Sequence, residues 1–216
     1  MHKITDIQIG NDILKANLEI AREINRELKE HNIKSYEFMG SIGSGKTLLI
    51  EKIMERLKQQ GIRCGAIAGD VSGNDDYLRF LKHGALAVNV NTGKECHLDA
   101  HYIEHALEQI DFHAIDVLFI ENVGNLVCPS DFPVGADMRI VVISTTEGDD
   151  MVRKHPVMFA NADLAVLNKK DLARYVDVDV NVIISDFRKI VPHKKILLTD
   201  AKHDEGIDEL MKEMGL

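Results

Sequence analysis

The chain has 216 residues, of which 45% are hydrophobic and 28% charged, so it can bury a full core and we expect one domain over residues 1–216. Its net charge of −9 disfavours DNA and RNA as partners, because nucleic-acid binding depends on clustered Lys and Arg. The polar start lacks the apolar core of a signal peptide, and no stretch approaches the about 18 apolar residues of a membrane span. We therefore expect a cytoplasmic protein without a membrane or nucleic-acid partner.

The first predicted element is an amphipathic helix over residues 12–31, within an N-terminal helical extension at 1–32. Its apolar residues recur at helical spacing, at Leu14, Leu18, Ala21, Ile24 and Leu28. We favour a helix that packs on the sheet of the domain over a helix that binds a partner, because most amphipathic helices face a core.

Seven short apolar runs follow, separated by segments of helical length. They lie at residues 35–39, 62–68, 85–90, 117–120, 138–144, 164–167 and 196–198. This alternation predicts an α/β fold with a mostly parallel sheet and helices on both faces. Residues 124–135 form the longest irregular stretch, which is typical of a functional loop.

The first run leads directly into a glycine-rich loop and then a helical segment at 48–59. The loop matches G-x-x-x-x-G-K-[ST] and consists of Gly40, Ser41, Ile42, Gly43, Ser44, Gly45, Lys46 and Thr47. Its backbone N–H groups would surround phosphate oxygens, Lys46 would neutralise the β and γ charges, and the Thr47 hydroxyl would ligate Mg²⁺. We predict a three-layer P-loop NTPase fold in which Lys46 and Thr47 are catalytic.

A second nucleotide motif, Asn168-Lys169-Lys170-Asp171, follows the sixth run and matches the N-K-x-D pattern of G proteins. By that resemblance Asp171 accepts hydrogen bonds from guanine, Lys169 packs along the base and Asn168 braces the loops. Adenine would leave the Asp171 carboxylate unpaired, so we expect GTP to be preferred over ATP.

Between these motifs, a buried strand ends in Glu121 where G proteins carry the D-x-x-G switch motif. We predict that Thr47, Glu121 and Asp75 hold Mg²⁺ and that Asp70 and Asp75 belong to the first switch. The longer side chain of Glu121 would hold the ion through water or, alternatively, position the attacking water. Glu121, Asp70 and Asp75 are therefore predicted to be catalytic. For either Asp alone, a helix cap or turn residue is the alternative. Because the sequence shows no catalytic Gln or Arg finger, slow GTP hydrolysis is expected.

Two loops carry soft metal ligands. Cys96 and His97 precede a predicted helix, and Cys128 lies in the irregular stretch after Glu121. Thiolate and imidazole suit Ni²⁺ and Zn²⁺, but three ligands fall short of a closed tetrahedral site, so we expect two copies of the chain to share their ligands. Incidental reduced thiols are the alternative.

Other Cys and His residues have simpler interpretations. Cys64 lies within an apolar run and is predicted to be a core thiol. His97, His101 and His105 would stack along one helix face, and we favour a solvated face for the last two.

The motifs together resemble the hydrogenase nickel incorporation (HypB) family of metallochaperones. The most specific segments are Cys-His-Leu-Asp-Ala at 96–100 and Glu-Asn-Val-Gly-Asn-Leu-Val-Cys-Pro at 121–129. The resemblance implies GTP-driven nickel delivery to the precursor of the hydrogenase large subunit, a HypA-type accessory partner and a GTP-dependent homodimer. Alternatives are a GTP-gated nickel or zinc storage or sensing protein and a urease-type nickel chaperone GTPase, although the C-P-H arrangement of the latter is absent.

Two departures from the family pattern stand out. Residues 1–14 contain neither the C-x-x-C-G-C nickel motif nor a His-rich tract, which leaves Cys96, His97 and Cys128 as the predicted metal ligands. Related dimeric NTPases carry a second lysine where this chain has Ser41, and Lys154 is the predicted substitute. A small-molecule kinase is disfavoured by N-K-x-D and the paired thiols.

Overall fold

Seven parallel strands form the central sheet, in the order β3-β2-β4-β1-β5-β6-β7. The computed structural model describes the backbone of residues 2–216 and the side chains from residue 12 onward. The strands are β1 (Lys34–Met39), β2 (Cys64–Asp70), β3 (Leu86–Asn91), β4 (Val117–Glu121), β5 (Met138–Ser144), β6 (Leu164–Asn168) and β7 (Lys195–Leu198). All seven predicted apolar runs are therefore confirmed as strands, with ends shifted by up to two residues.

Helices cover both faces of this sheet. They are α1 (His2–Glu30), α2 (Lys46–Gln59), α3 (Asp75–Lys82), α4 (Ala100–Leu107), α5 (Met151–Lys154), α6 (Pro156–Asn161), α7 (Val180–Ile190) and α8 (Ile207–Met214). Apolar residues of α2, α3 and α8 pack on one face, while those of α1, α4, α5, α6 and α7 pack on the other. The predicted three-layer α/β architecture is confirmed.

The connections around β1 place a cleft at the carboxyl ends of the strands. From β1 the chain passes through α2 to β2 on one side, whereas β5 and β6 lie on the opposite side of β1. In open parallel sheets ligands bind where the strand order reverses in this way. Both nucleotide motifs lie at this edge of the sheet.

Helix α1 packs on the sheet as predicted, but the predicted apolar face is wrong at one position. Ala21, Ile24 and Leu28 are buried, whereas Leu18 is 40% exposed and Asn17 is buried in its place. The Asn17 amide donates to the carbonyl of Pro133 and accepts from the Ala100 amide, at 2.9 and 2.8 Å. These bonds satisfy a polar side chain inside the core, which periodicity of apolar residues does not reveal.

Among the described residues, no helix is both long and apolar enough to cross a membrane.

Candidate nucleotide and metal site

The P-loop closes tightly against two neighbouring strands, and this requires glycine at two positions. Gly40 has φ +145°, and a Cβ there would lie 2.1 Å from the carbonyl oxygen of Val142. Gly45 has φ +100°, and its Cβ would lie 2.3 Å from Nδ2 of Asn168. Any larger residue would displace the loop. The loop then delivers Lys46 to the first position of α2.

A buried carboxylate faces the first turn of α2. Glu121 is 3% exposed at the end of β4, and its Oε1 accepts a 2.9 Å hydrogen bond from Thr47 Oγ1 and lies 3.8 Å from Lys46 Nζ. Burial raises the pKa of Glu121 to about 7, against the opposing effects of the Lys46 cation and the Thr47 hydroxyl. Its Oε2 is buried without a hydrogen-bond partner in the described part of the chain. An orphaned carboxylate oxygen beside a threonine hydroxyl fits the oxygen ligands that Mg²⁺ prefers.

Further acidic residues line the same cleft. A cavity of about 390 Å³ is bounded by the P-loop, Glu121, Asp70, Asp75, Asp76 and Arg79. Asp70 ends β2 and Asp75 begins α3, so both predicted switch residues reach this cavity. No motif indicated Arg79, whose guanidinium donates two hydrogen bonds to the Glu51 carboxylate on α2.

The second motif holds the P-loop from the other side. Asn168 Nδ2 donates to the carbonyl of Ser44 at 3.0 Å, and Lys169 Nζ donates to that of Gly43 at 2.6 Å. Oδ1 of Asn168 accepts hydrogen bonds from Thr199 Oγ1 and Ala201 N, at 3.0 and 3.2 Å. The loop after β7 therefore belongs to the site, although sequence reasoning missed it.

Asp171 lies beside two residues of that same loop. The potential ligand atoms of Asp171, Asp200 and His203 all lie within 4.8 Å of one another, and Nδ1 of His203 is 2.5 Å from Oδ2 of Asp200. This hydrogen bond raises the pKa of His203. The only sequence signal for these residues was their position just after the last strand.

The three predicted soft ligands converge. Sγ of Cys96 and Sγ of Cys128 are 2.6 Å apart, Nδ1 of His97 is 3.8 Å from Sγ of Cys96, and all three ligand atoms lie within 4.8 Å of one another. The His97 ring packs on Phe132 with centroids 4.3 Å apart, and burial lowers the pKa of His97. Burial thus favours the neutral imidazole, which is the form that binds metals. The hydrogen bond with Cys128 and, to a lesser degree, burial raise the pKa of Cys96.

Cys64, His101 and His105 do not belong to this cluster. Cys64 begins β2 and is half-buried, and burial raises the pKa of its thiol to about 12. The exposed rings of His101 and His105 contact each other edge to face, with centroids 4.4 Å apart. The predicted stacking of His97 with them is wrong, because α4 begins only at Ala100.

Asn125 joins the P-loop to both metal loops, and sequence reasoning did not single it out. Its backbone N–H donates to the carbonyl of Gly40 at 3.0 Å, and its Nδ2 donates to that of Cys96 at 3.3 Å. Its Oδ1 accepts from the amide of Val127, next to Cys128, at 2.8 Å. One side chain therefore contacts both metal loops, while its backbone contacts the phosphate loop.

Lys154 lies on α5, where its exposed ammonium group is 2.6 Å from Oδ2 of Asp150. It borders a surface pocket together with Val127, next to Cys128. The exposed position leaves its amine accessible to another molecule.

The sheet order, the glycine-rich loop and the carboxylate beside its Thr define a P-loop nucleotide-binding protein. Residues 35–198 match the family described as CobW/HypB/UreG, nucleotide-binding domain. The chain belongs to this family of P-loop GTPases, and within it to the HypB group. The resemblance predicted from the sequence is therefore confirmed.

Similar proteins cover nearly the whole chain. The probable hydrogenase maturation factor HypB of Methanocaldococcus jannaschii is 50% identical over 212 residues, which cover 98% of this chain and 96% of the relative. The crystal structure of HypB from Archaeoglobus fulgidus has a TM-score of 0.86 at 44% identity, covering 93% of this chain and 98% of that one. HypB from Helicobacter pylori, crystallised in complex with nickel, also has a TM-score of 0.86, at 34% identity over 92% and 93% of the two chains.

Proposed function

We propose that this protein is a GTP-hydrolysing metallochaperone that delivers nickel during maturation of nickel-iron hydrogenase. The similar proteins are named hydrogenase maturation factors, and one of them was crystallised with nickel. The observation that carries the proposal is the short separation between the two sites, since Asn125 hydrogen-bonds to both the P-loop and the Cys96 loop. A nucleotide-dependent change in the P-loop would therefore act on the metal-ligand loops through Asn125.

Hydrolysis in this proposal is in-line attack of water on the γ-phosphate of GTP. The P-loop amides and Lys46 stabilise the charge that develops on the phosphate oxygens. Thr47, Glu121 and one of Asp70 and Asp75 would hold Mg²⁺, which supplies further positive charge at the phosphates. Glu121 needs to be ionised for this role, and its raised pKa makes it sensitive to pH near neutrality. We expect slow turnover because the sequence shows no catalytic Gln or Arg finger.

Recognition of guanine rests on Asp171, which accepts hydrogen bonds from the base. Lys169 packs along the base, and its bond to the Gly43 carbonyl ties guanine recognition to the P-loop. Asn168 keeps the two loops in contact through Ser44.

Nickel is the cargo, and Zn²⁺ suits the same ligands. Cys96, His97 and Cys128 supply three ligands, so a GTP-favoured homodimer completes the coordination by bringing two sets together. GTP shifts the equilibrium towards the dimer only if it binds the dimer more tightly, and hydrolysis then removes that bias. Lys154 contributes to the partner's nucleotide site.

The nickel recipient is the precursor of the hydrogenase large subunit, with a HypA-type accessory protein as partner. We assign this work to the cytoplasm, where a reducing environment keeps both ligand thiols free.

The test measures nickel and zinc affinity together with molecular mass, in the presence of GDP and of a non-hydrolysable GTP analogue. Cys96→Ser is the test variant, and Cys64→Ser, which alters a thiol outside the cluster, is the matched control. We expect the GTP analogue to favour a dimer and to change nickel affinity, and Cys96→Ser alone to abolish tight metal binding. Equal affinity and mass in both nucleotide states would refute the switch.

The second candidate function for the same site is that of a nickel storage or sensing protein gated by GTP. It predicts nickel retention that is insensitive to hydrolysis, so adding GTP to the nickel-loaded protein and measuring nickel release separates the two functions.

A further inference from the structure

A buried ion pair lies behind the two metal loops. Glu37 on β1 is fully buried, and its Oε2 accepts a 2.8 Å hydrogen bond from Nε of Arg139, the residue beside it on β5. A buried ion pair contributes little net stability compared with apolar residues of similar volume, because both charges lose their hydration. The pair also takes no part in the nucleotide cavity. Its other hydrogen bonds indicate what it does.

The remaining donors of Arg139 hold the loop of Cys128. Nη2 donates to the carbonyl of Pro129 at 2.5 Å, and Nη1 donates to that of Ser130 at 3.3 Å. These two residues follow Cys128 in the short 3-10 helix Cys128–Ser130. A planar guanidinium that binds one carboxylate and two carbonyls fixes their relative positions, which a lysine does less well.

The other oxygen of Glu37 holds the loop of Cys96 and His97. Oε1 accepts a 2.7 Å hydrogen bond from Nδ2 of Asn122, a residue that is 1% exposed. Oδ1 of Asn122 in turn accepts from the backbone amide of Leu98, the residue after His97, at 2.8 Å. Through Asn122, the same carboxylate therefore supports the second metal loop.

We propose that Glu37, Arg139 and Asn122 are positioning residues that set the distance between the thiol of Cys128 and the ligands Cys96 and His97. This inference rests on the proposed metal site. Partners behind the direct ligands of a metal orient those ligands, and their loss typically weakens metal binding by about 10- to 100-fold. Because Asn122 directly follows Glu121, a backbone displacement at Glu121 would also displace this network.

The main test uses the double variant Glu37→Gln/Arg139→Met, which removes both charges at once and so leaves no unpaired buried ion. We expect nickel affinity to fall by about 10- to 100-fold, and the thiolate-to-nickel charge-transfer absorption to shift or weaken. Affinity for GDP should stay within about twofold. The matched control is Arg63→Met/Asp116→Asn, which removes an exposed pair with 2.6 Å between Nη2 and Oδ1, away from both metal loops.

A single variant, Arg139→Lys, keeps the charge opposite Glu37 but loses the fork to Pro129 and Ser130. It should bind nickel with an affinity between those of the wild type and the double variant. This graded result separates positioning from mere retention of charge.

These measurements distinguish failure of the positioning role from failure of the proposed metal site. If wild type and Cys96→Ser bind nickel equally, the metal site itself is wrong. If Cys96→Ser loses nickel while the double variant binds it like the wild type, with the same absorption spectrum, the positioning role is overturned. Parallel loss of nickel and GDP affinity in the double variant would also overturn it, because the pair would then support the whole fold.

Discussion

Glu121 should make the stability of this protein depend on pH in a direction unusual for a carboxylate. Burial raises its pKa to about 7, whereas the unfolded chain titrates near its ordinary value of 4.5. Between these two values the folded protein holds a proton that the unfolded chain has released. Stability therefore falls as pH rises through this window, because the slope of the unfolding free energy follows the protons bound by the unfolded chain minus those bound by the folded one.

The magnitude follows from the width of that window. A shift from 4.5 to about 7 corresponds to roughly 3 kcal/mol, at about 1.4 kcal/mol for each pKa unit. Solvent does not screen the charge of Glu121, because this side chain is almost completely buried. This is a large fraction of the about 5–15 kcal/mol by which domains are stable.

The assay is urea unfolding of the nucleotide-free protein with EDTA at pH values between 4.5 and 8. Glu121→Gln removes the titration while keeping the side-chain size, so the difference between wild type and variant isolates this one group. We expect the wild type to lose about 3 kcal/mol relative to Glu121→Gln across the window. Glu19→Gln, on the exposed surface of α1, is the matched control and should follow the wild type.

Parallel pH profiles for wild type and Glu121→Gln would refute the reasoning, because they would mean that Glu121 is ionised throughout. Mg²⁺ together with GDP should reduce the effect in the wild type alone, since a cation beside the orphaned Oε2 stabilises the carboxylate. A wild-type pH profile that does not change with Mg²⁺ and GDP would place Mg²⁺ away from Glu121.

Three further predictions concern the base, the P-loop and the N-terminal helix. Asp171→Asn should weaken GDP binding by about 10- to 100-fold and favour xanthosine diphosphate, because the extra carbonyl of xanthine accepts a hydrogen bond from the Asn amide. Competition binding of the two nucleotides checks this. Gly45→Ala should push Asn168 from the P-loop and cost about 1–3 kcal/mol in urea unfolding, with a parallel loss of GDP affinity; unchanged affinity would contradict it. Leu28→Ala should cost about 3 kcal/mol and the exposed Leu18→Ala less than about 0.5, as measured by urea unfolding.

The fold could be predicted from the sequence because its signals are local. Each strand contains a short apolar run, which is buried at every residue in the central strands β4 and β6, and the P-loop glycines mark the turn between β1 and α2. The burial of Asn17 could not be predicted, since its partners Pro133 and Ala100 lie far along the chain. Periodicity counts apolar residues and is blind to a polar one that finds hydrogen bonds in the core.

The site was predictable only where a motif carries the chemistry. Lys46 and Asp171 belong to patterns whose spacing is fixed by the phosphates and the base. Arg79, Asp200 and Asn125 were missed because each acts through contacts between separate segments, and its residue type is ordinary in a loop or helix. The pairing of Glu37 with Arg139 depends on the order of strands in the sheet, which apolar runs do not encode.

The end of β4 explains how one short segment serves two sites. Successive residues of a strand point to opposite faces of the sheet, so Glu121 faces Thr47 on α2 while Asn122 faces Glu37 and the loop of Cys96 and His97. Because the two residues are adjacent in the chain, a backbone displacement at Glu121 towards a bound cation would also displace Asn122. The proposed coupling between the γ-phosphate and the metal ligands would therefore need only a local backbone movement and no large domain movement.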